Sequence, residues 1–148
     1  VDELPVVEQP LCRSAAPIDY LHRQMRLASE EVLAPLGLRP RHFVALTMLR
    51  DNQEISQQAL SSILQIDGAN IVGLLNELES AGLVTRRRAA EDRRRHIVEM
   101  TDGGRRLLAR AEFALGAVED HVFSALSSEE RQQLAALLHR AMSGTFPA

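Results

Sequence analysis

The chain has no lysine and no tryptophan, and cysteine occurs once in its 148 residues, at Cys12. A lone thiol cannot close an internal disulfide, which fits a reducing compartment. Aromatic residues are 3% of the sequence and hydrophobic residues 45%, so the core must be built mainly from Leu, Val, Ile and Ala. No run approaches the ~20 apolar residues that span a bilayer, and no signal-peptide pattern opens the sequence. The expectation is a soluble, cytoplasmic protein without a membrane partner. The five histidines, at 22, 42, 96, 121 and 139, show neither His-x2-His nor His-x3-His spacing, which argues against a metal centre. Phosphate loops, nucleophile elbows and metalloprotease signatures are missing as well. No cofactor and no enzymatic reaction are expected.

Positive charge is scarce overall but concentrated. The formal net charge is −3, which excludes a uniformly basic coat. Between Arg86 and Arg95, however, six arginines face only Glu91 and Asp92, a local charge of +4 in ten residues. A confined cationic element is the footprint of a surface that meets phosphates.

Apolar periodicity predicts a mainly α chain. Helix one runs roughly from Pro17 to Leu36, with Ile18, Leu21, Met25, Ala28 and Val32 on one face, and stops at Pro35 and Gly37. Pro40 opens helix two, which continues to about Arg50. Ile55 is placed to form a short edge strand. Ser56 caps helix three and Asp67 caps helix four, with only Gln65 and Ile66 between the two helices. Gly82 and Leu83-Val84 lead into an arginine-rich hairpin that returns through His96–Met100. Thr101 caps a long helix five, with Leu107, Ala111, Ala114, Leu115, Val118, Val122 and Leu126 on its apolar side. Ser127 and Glu130 form a capping-box pattern ahead of helix six, whose Leu134, Leu137, Leu138 and Ala141 are expected to face inward.

Two short helices joined by a tight turn, followed by a cationic hairpin, have the shape needed to read duplex DNA. On helix four, Ile71, Leu74, Leu75 and Leu78 recur at i, i+3, i+4 and i+7 and should pack inward. The opposite face carries Ala69, Asn70, Val72, Gly73, Asn76 and Glu77. Asn70 and Asn76 can pair with an adenine edge and Val72 can touch a thymine methyl. With them, Ser56, Arg86, Arg88, Asp92, Arg93, Arg94 and Arg95 complete the candidate DNA contacts. Helices one, five and six are too apolar to be solvated appendages, and pairing them across a two-fold axis gives a homodimer with two reading heads.

The string from Leu78 to Arg88, the wing Asp92-x-Arg94, and Met100-Thr101 followed by Gly104 resemble the MarR family of winged-helix regulators, as does Leu36 to Phe43. The resemblance covers roughly residues 18 to 142. It implies one domain over 1–148: a winged helix-turn-helix lobe with a two-stranded β-wing at about 38–101, and dimerisation helices at about 13–36 and 102–145. It also implies a repressor on a pseudo-palindromic double-stranded operator, with Arg94 reaching the minor groove and Asp92 orienting it. Three features depart from the family pattern. Ala89-Ala90 stands where Asp-Pro is common, Gln65 replaces a glycine, and Val72-Gly73 replaces Thr-Arg.

The family resemblance further implies a small aromatic acid or phenolic effector, bound between the dimerisation helices and the DNA-binding lobe. Arg13 and His22 are the candidate ligand contacts, though residues of this kind near helix ends are usually solvated. Cys12 beside Arg13 offers a redox-sensing alternative. A winged-helix module that binds protein instead of DNA is a third reading, and the intact wing arginines speak against it.

Overall fold

The computed structural model describes residues 13–145. Cys12, and with it the redox reading, lies outside them. Among the described residues, six helices and three short strands follow one another as α1 (Ala15–Leu33), a 3-10 turn (Ala34–Leu36), α2 (Pro40–Asn52), β1 (Ile55–Ser56), α3 (Gln57–Leu64), α4 (Gly68–Ser80), β2 (Val84–Arg88), β3 (His96–Met100), α5 (Asp102–Val122) and α6 (Ser128–Thr145). The mainly α winged-helix expectation holds. The wing hairpin pairs Val84 with Met100 through to Arg88 with His96, and Ile55 and Ser56 add a third antiparallel strand against Val98 and Ile97.

Local chemistry sets the helix starts. Ser56 Oγ accepts the Ala59 N–H at 3.0 Å, Asp67 Oδ1 accepts the Asn70 N–H at 2.8 Å, and Thr101 Oγ1 accepts the Gly104 N–H at 3.0 Å. Ser127 and Glu130 bond reciprocally at the head of α6, as a capping box requires. Each such cap satisfies a backbone donor that the helix itself cannot.

The turn between α3 and α4 is tight because Gln65 is left-handed, at φ 53° and ψ 43°. Its N–H bonds back into the last turn of α3 while Ser61 Oγ donates to the Ile66 carbonyl. A side chain there costs roughly 1 kcal/mol relative to glycine. Gln65→Gly is therefore expected to raise stability by about that amount in urea unfolding, and a lower unfolding midpoint would contradict the assignment.

The core gathers between α2, α3, α4 and the sheet. Ile71, Leu74, Leu75 and Leu78 of α4 are all buried, together with Leu46, Leu49, Leu60, Val84 and Val98. Full burial of each such side chain contributes about 1.5–3 kcal/mol. α5 joins this core through Leu108, Ala111, Leu115 and Val118, and packs mainly along α1. Leu108, rather than Leu107, is the fully covered residue of that turn. The inward-facing assignment for α6 fails within one chain. Leu137 and Leu138 are 57% and 45% exposed and Ala141 is exposed, because α1 and α5 already cover each other. Ile18, Tyr20 and Leu27 of α1 and Phe113 of α5 are exposed as well, so the predicted apolar face of α1 is uncovered at Ile18.

Candidate nucleic-acid interface and effector cleft

α4 presents Ala69, Asn70, Val72, Gly73 and Asn76 to solvent, on the face opposite its buried leucines. Asn70 Nδ2 donates to Asp67 Oδ2 at 2.8 Å, which leaves its oxygen and one N–H for a partner. Asn76 is engaged: its oxygen accepts from Arg86 Nη2, and Arg86 Nε donates to Glu79 Oε2 at 2.8 Å. Glu77, expected on the open face, is exposed but turned toward α2, where it is held by three side chains.

The wing divides its six arginines into two groups. At the base, Arg86 is committed to Glu79 and Asn76, and Arg87 is committed to Glu54 and Glu99, both at 2.9 Å. Glu99, with Glu54, holds the Arg87 guanidinium above its usual range. Toward the tip, the side chains of Arg88, Arg93, Arg94 and Arg95 are exposed and make no hydrogen bond or ion pair among the described residues. Four unneutralised guanidiniums therefore lie together. The tip backbone is tied: the Ala89 N–H donates to the Arg95 carbonyl at 2.8 Å, and the Arg94 N–H to Asp92 Oδ1 at 3.0 Å. Asp92 thus fixes the backbone of Arg94 and leaves its side chain free. Ala89, where β2 ends, is buried.

Between the wing and the helix-turn-helix runs a groove of about 250 Å³. Arg94, Arg95 and His96 form one wall, and Ser56, Gln57, Gln58, Ser61 and Gly68 form the other. Gln57, Gln58 and Ser61 carry no periodic or motif signal, and only the packing of α3 against the wing brings them to Arg94.

A second cavity, of about 390 Å³, opens between α1, α2 and α5. α1 supplies His22, Met25, Arg26, Ser29 and Leu33, α2 supplies Pro40, Arg41, Phe43 and Val44, and α5 supplies Leu115 and Glu119. His22, one of the two residues the sequence singles out, lines this cavity. Arg13 is exposed ahead of α1 and does not line this cleft, because the cations that do, Arg26 and Arg41, come from the middle of α1 and the start of α2.

The start of α2 is also joined to α4. His42 is buried, and its Nδ1 accepts the Arg39 N–H at 3.0 Å, so the ring proton sits on Nε2. Nε2 donates to Glu77 Oε2 at 2.7 Å. Arg41 Nη2 lies 2.9 Å from both Glu77 oxygens, and Arg39 Nη2 at 3.3 Å from one. The His42 hydrogen bond, supported by Arg41 and Arg39 against partial desolvation, holds the Glu77 carboxyl below its usual range. Sequence reading missed this cluster, because Glu77 lies 35 or more residues from each of its three partners.

Comparison with known proteins agrees with this geometry. A family model described as "MarR family" matches residues 36–95. A Thauera aromatica protein provisionally named as the transcriptional regulatory protein for the hcr operon is 36% identical over 104 residues, 70% of this chain and 63% of that relative. The chain thus spans under two thirds of that relative's length. A MarR-family transcriptional regulator from Rhodococcus sp. RHA1 superposes with a TM-score of 0.77 at 27% identity, covering 93% of this chain and 100% of that one. The C80S mutant of MarR from E. coli in complex with operator DNA superposes with a TM-score of 0.72 at 23% identity, covering 86% and 92%. By its winged helix-turn-helix, its arginine wing and these likenesses, the chain is similar to the MarR family, whose model its residues 36–95 match.

Proposed function

We propose that this chain is a DNA-binding transcriptional regulator, acting as a homodimeric repressor on a pseudo-palindromic operator and released by a small aromatic acid or phenol. The observation that carries the reading is the set of four uncommitted guanidiniums, Arg88, Arg93, Arg94 and Arg95, beside the exposed face of α4. A helix that fits the major groove, flanked by a cationic hairpin, is suited to straddle a duplex. In this reading Asn70 pairs with an adenine, Val72 meets a thymine methyl, and Ala69 and Gly73 permit close approach. Arg94 enters the minor groove while Arg88, Arg93, Arg95 and the Ser56 hydroxyl meet phosphates. Arg86 acts through Asn76, whose amide it holds, and Asp92 acts through the Arg94 backbone.

The exposed apolar side chains of α1, α5 and α6 support the dimer, since a two-fold axis through them buries Leu137, Leu138 and Phe113. The α1–α2–α5 cleft supports the effector. Met25, Phe43 and Leu115 offer apolar walls, and His22, Arg26 and Arg41 offer donors to an anion. His22 thus stays among the proposed ligand contacts, while Arg13 is no longer among them.

Fluorescence anisotropy with a labelled duplex tests the DNA-binding reading. Affinity should fall by roughly 10³-fold or more between about 50 and 200 mM salt, as expected when several phosphates are neutralised. No duplex binding at the lower salt would overturn it.

A further inference from the structure

Arg41 belongs to two constellations at once. It lines the α1–α2–α5 cleft, and its Nη2 bonds Glu77 on α4. Among the described residues, no other side chain lining the cleft makes a hydrogen bond or ion pair with α4. A guanidinium grips a carboxylate in two bidentate modes, side-on through Nε and Nη2 or end-on through Nη1 and Nη2. Nη2 takes part in both modes and also serves Glu77, so until Arg41 turns away only the mode that uses its other N–H is open to a ligand.

We propose that Arg41 is the shared cation of the regulator: the carboxylate of an effector in the cleft and the Glu77 carboxylate of the DNA-reading helix compete for it. This rests on the cleft being the effector site. An anion entering there meets Glu119 on one wall and must find a cation to offset it. Arg26, paired with Glu30 at 3.4 Å, is reachable from the cleft as well, but only Arg41, with half of its side chain exposed, also touches α4. When Arg41 turns to the ligand, Glu77 loses one of its three side-chain partners and keeps His42 and the longer contact to Arg39, so α4, still held by its buried leucines, shifts rather than detaches. Reciprocity then follows: whatever factor the effector costs in DNA affinity, bound DNA costs in effector affinity.

The test uses 4-hydroxybenzoate and its uncharged methyl ester as probes, with binding followed by calorimetry and operator affinity by anisotropy. The acid should bind wild type and weaken its DNA affinity, whereas the ester should leave DNA affinity unchanged. Glu77→Gln should bind the acid about tenfold more tightly, within the usual range of coupling, because its competitor is gone. Its DNA affinity should then respond little to the acid. A merely structural Glu77 would not tighten ligand binding. Arg41→Gln should lose at least about tenfold in acid affinity, and Arg41→Lys, charged but without the fork, should not restore it. In Glu77→Gln the new amide oxygen can still accept from His42, and circular dichroism checks that the variant folds; if it does not, the acid–ester comparison and the Arg41 variants decide. The proposal is overturned if Glu77→Gln binds the acid as wild type does and is released from DNA by the same factor, or if the ester releases DNA as well as the acid. Failure of wild type to bind the acid at all removes the cleft reading and this proposal with it. That outcome differs from a wild type that binds the acid independently of Glu77.

Discussion

Arg94→Ala is expected to weaken operator binding by at least about thirty-fold. A well-placed arginine contact is worth about 1–3 kcal/mol, and a symmetric dimer loses it twice, roughly 2–6 kcal/mol in all. Arg94 is suited to this role because its backbone is fixed by Asp92 while its guanidinium is uncommitted. A hairpin arginine of this kind is drawn to the negative potential of a narrow, A·T-rich minor groove. The dependence of affinity on salt should also become shallower. Arg140→Ala, on an exposed part of α6, is the matched control and should change neither quantity. Equal affinity and equal salt slope for wild type and Arg94→Ala would take the wing out of DNA recognition.

The largest expected effect on stability belongs to Gly104. At the head of α5 the helix backbone presses on the chain entering β2, where Thr101 Oγ1 donates to the Gly82 carbonyl at 2.7 Å and the Thr101 N–H donates to the Leu83 carbonyl at 3.0 Å. A Cβ on residue 104 would sit 2.2 Å from the Leu83 carbonyl oxygen and 2.7 Å from Met100 Cγ. Met100 could move, but the carbonyl is backbone in a hydrogen-bonded junction between α5 and the wing. Gly104→Ala should therefore cost about 3 kcal/mol, the upper end of ordinary overpacking. Urea unfolding reads the loss directly. A change of less than about 0.5 kcal/mol, the size of an unremarkable surface substitution, would mean that the junction opens without strain.

The parts of this molecule that were legible in its sequence are those set by neighbours along the chain. Ser56, Asp67, Thr101 and Ser127 announce helix starts because a cap needs only its own side chain and a backbone donor three residues on. The buried face of α4 was readable from period alone. The fate of the wing arginines was not. Arg86 and Arg87 are neutralised by Glu79, Glu54 and Glu99, which come from α4, the loop before β1, and β3, so the run of charge overstated the cationic surface. Glu77 looked like a groove-facing residue until α2 supplied His42 and Arg41 from 35 and 36 positions away. The sequence singles out Arg13 and does not point to Arg41 as an anion contact for the same reason: the cleft exists only once α1, α2 and α5 pack. For α6, the apolar stripe is legible in the sequence, but Leu137, Leu138 and Ala141 stay exposed in the single chain.

A binding-site selection from random duplex DNA tests most directly whether this chain is a two-fold symmetric reader of DNA. The predicted result is an enriched inverted repeat with half-site centres about 10 base pairs apart, and an A·T pair in each half-site whose preference is lost in Asn70→Ala. Enrichment of a single unpaired site, or of no sequence at all, would contradict it.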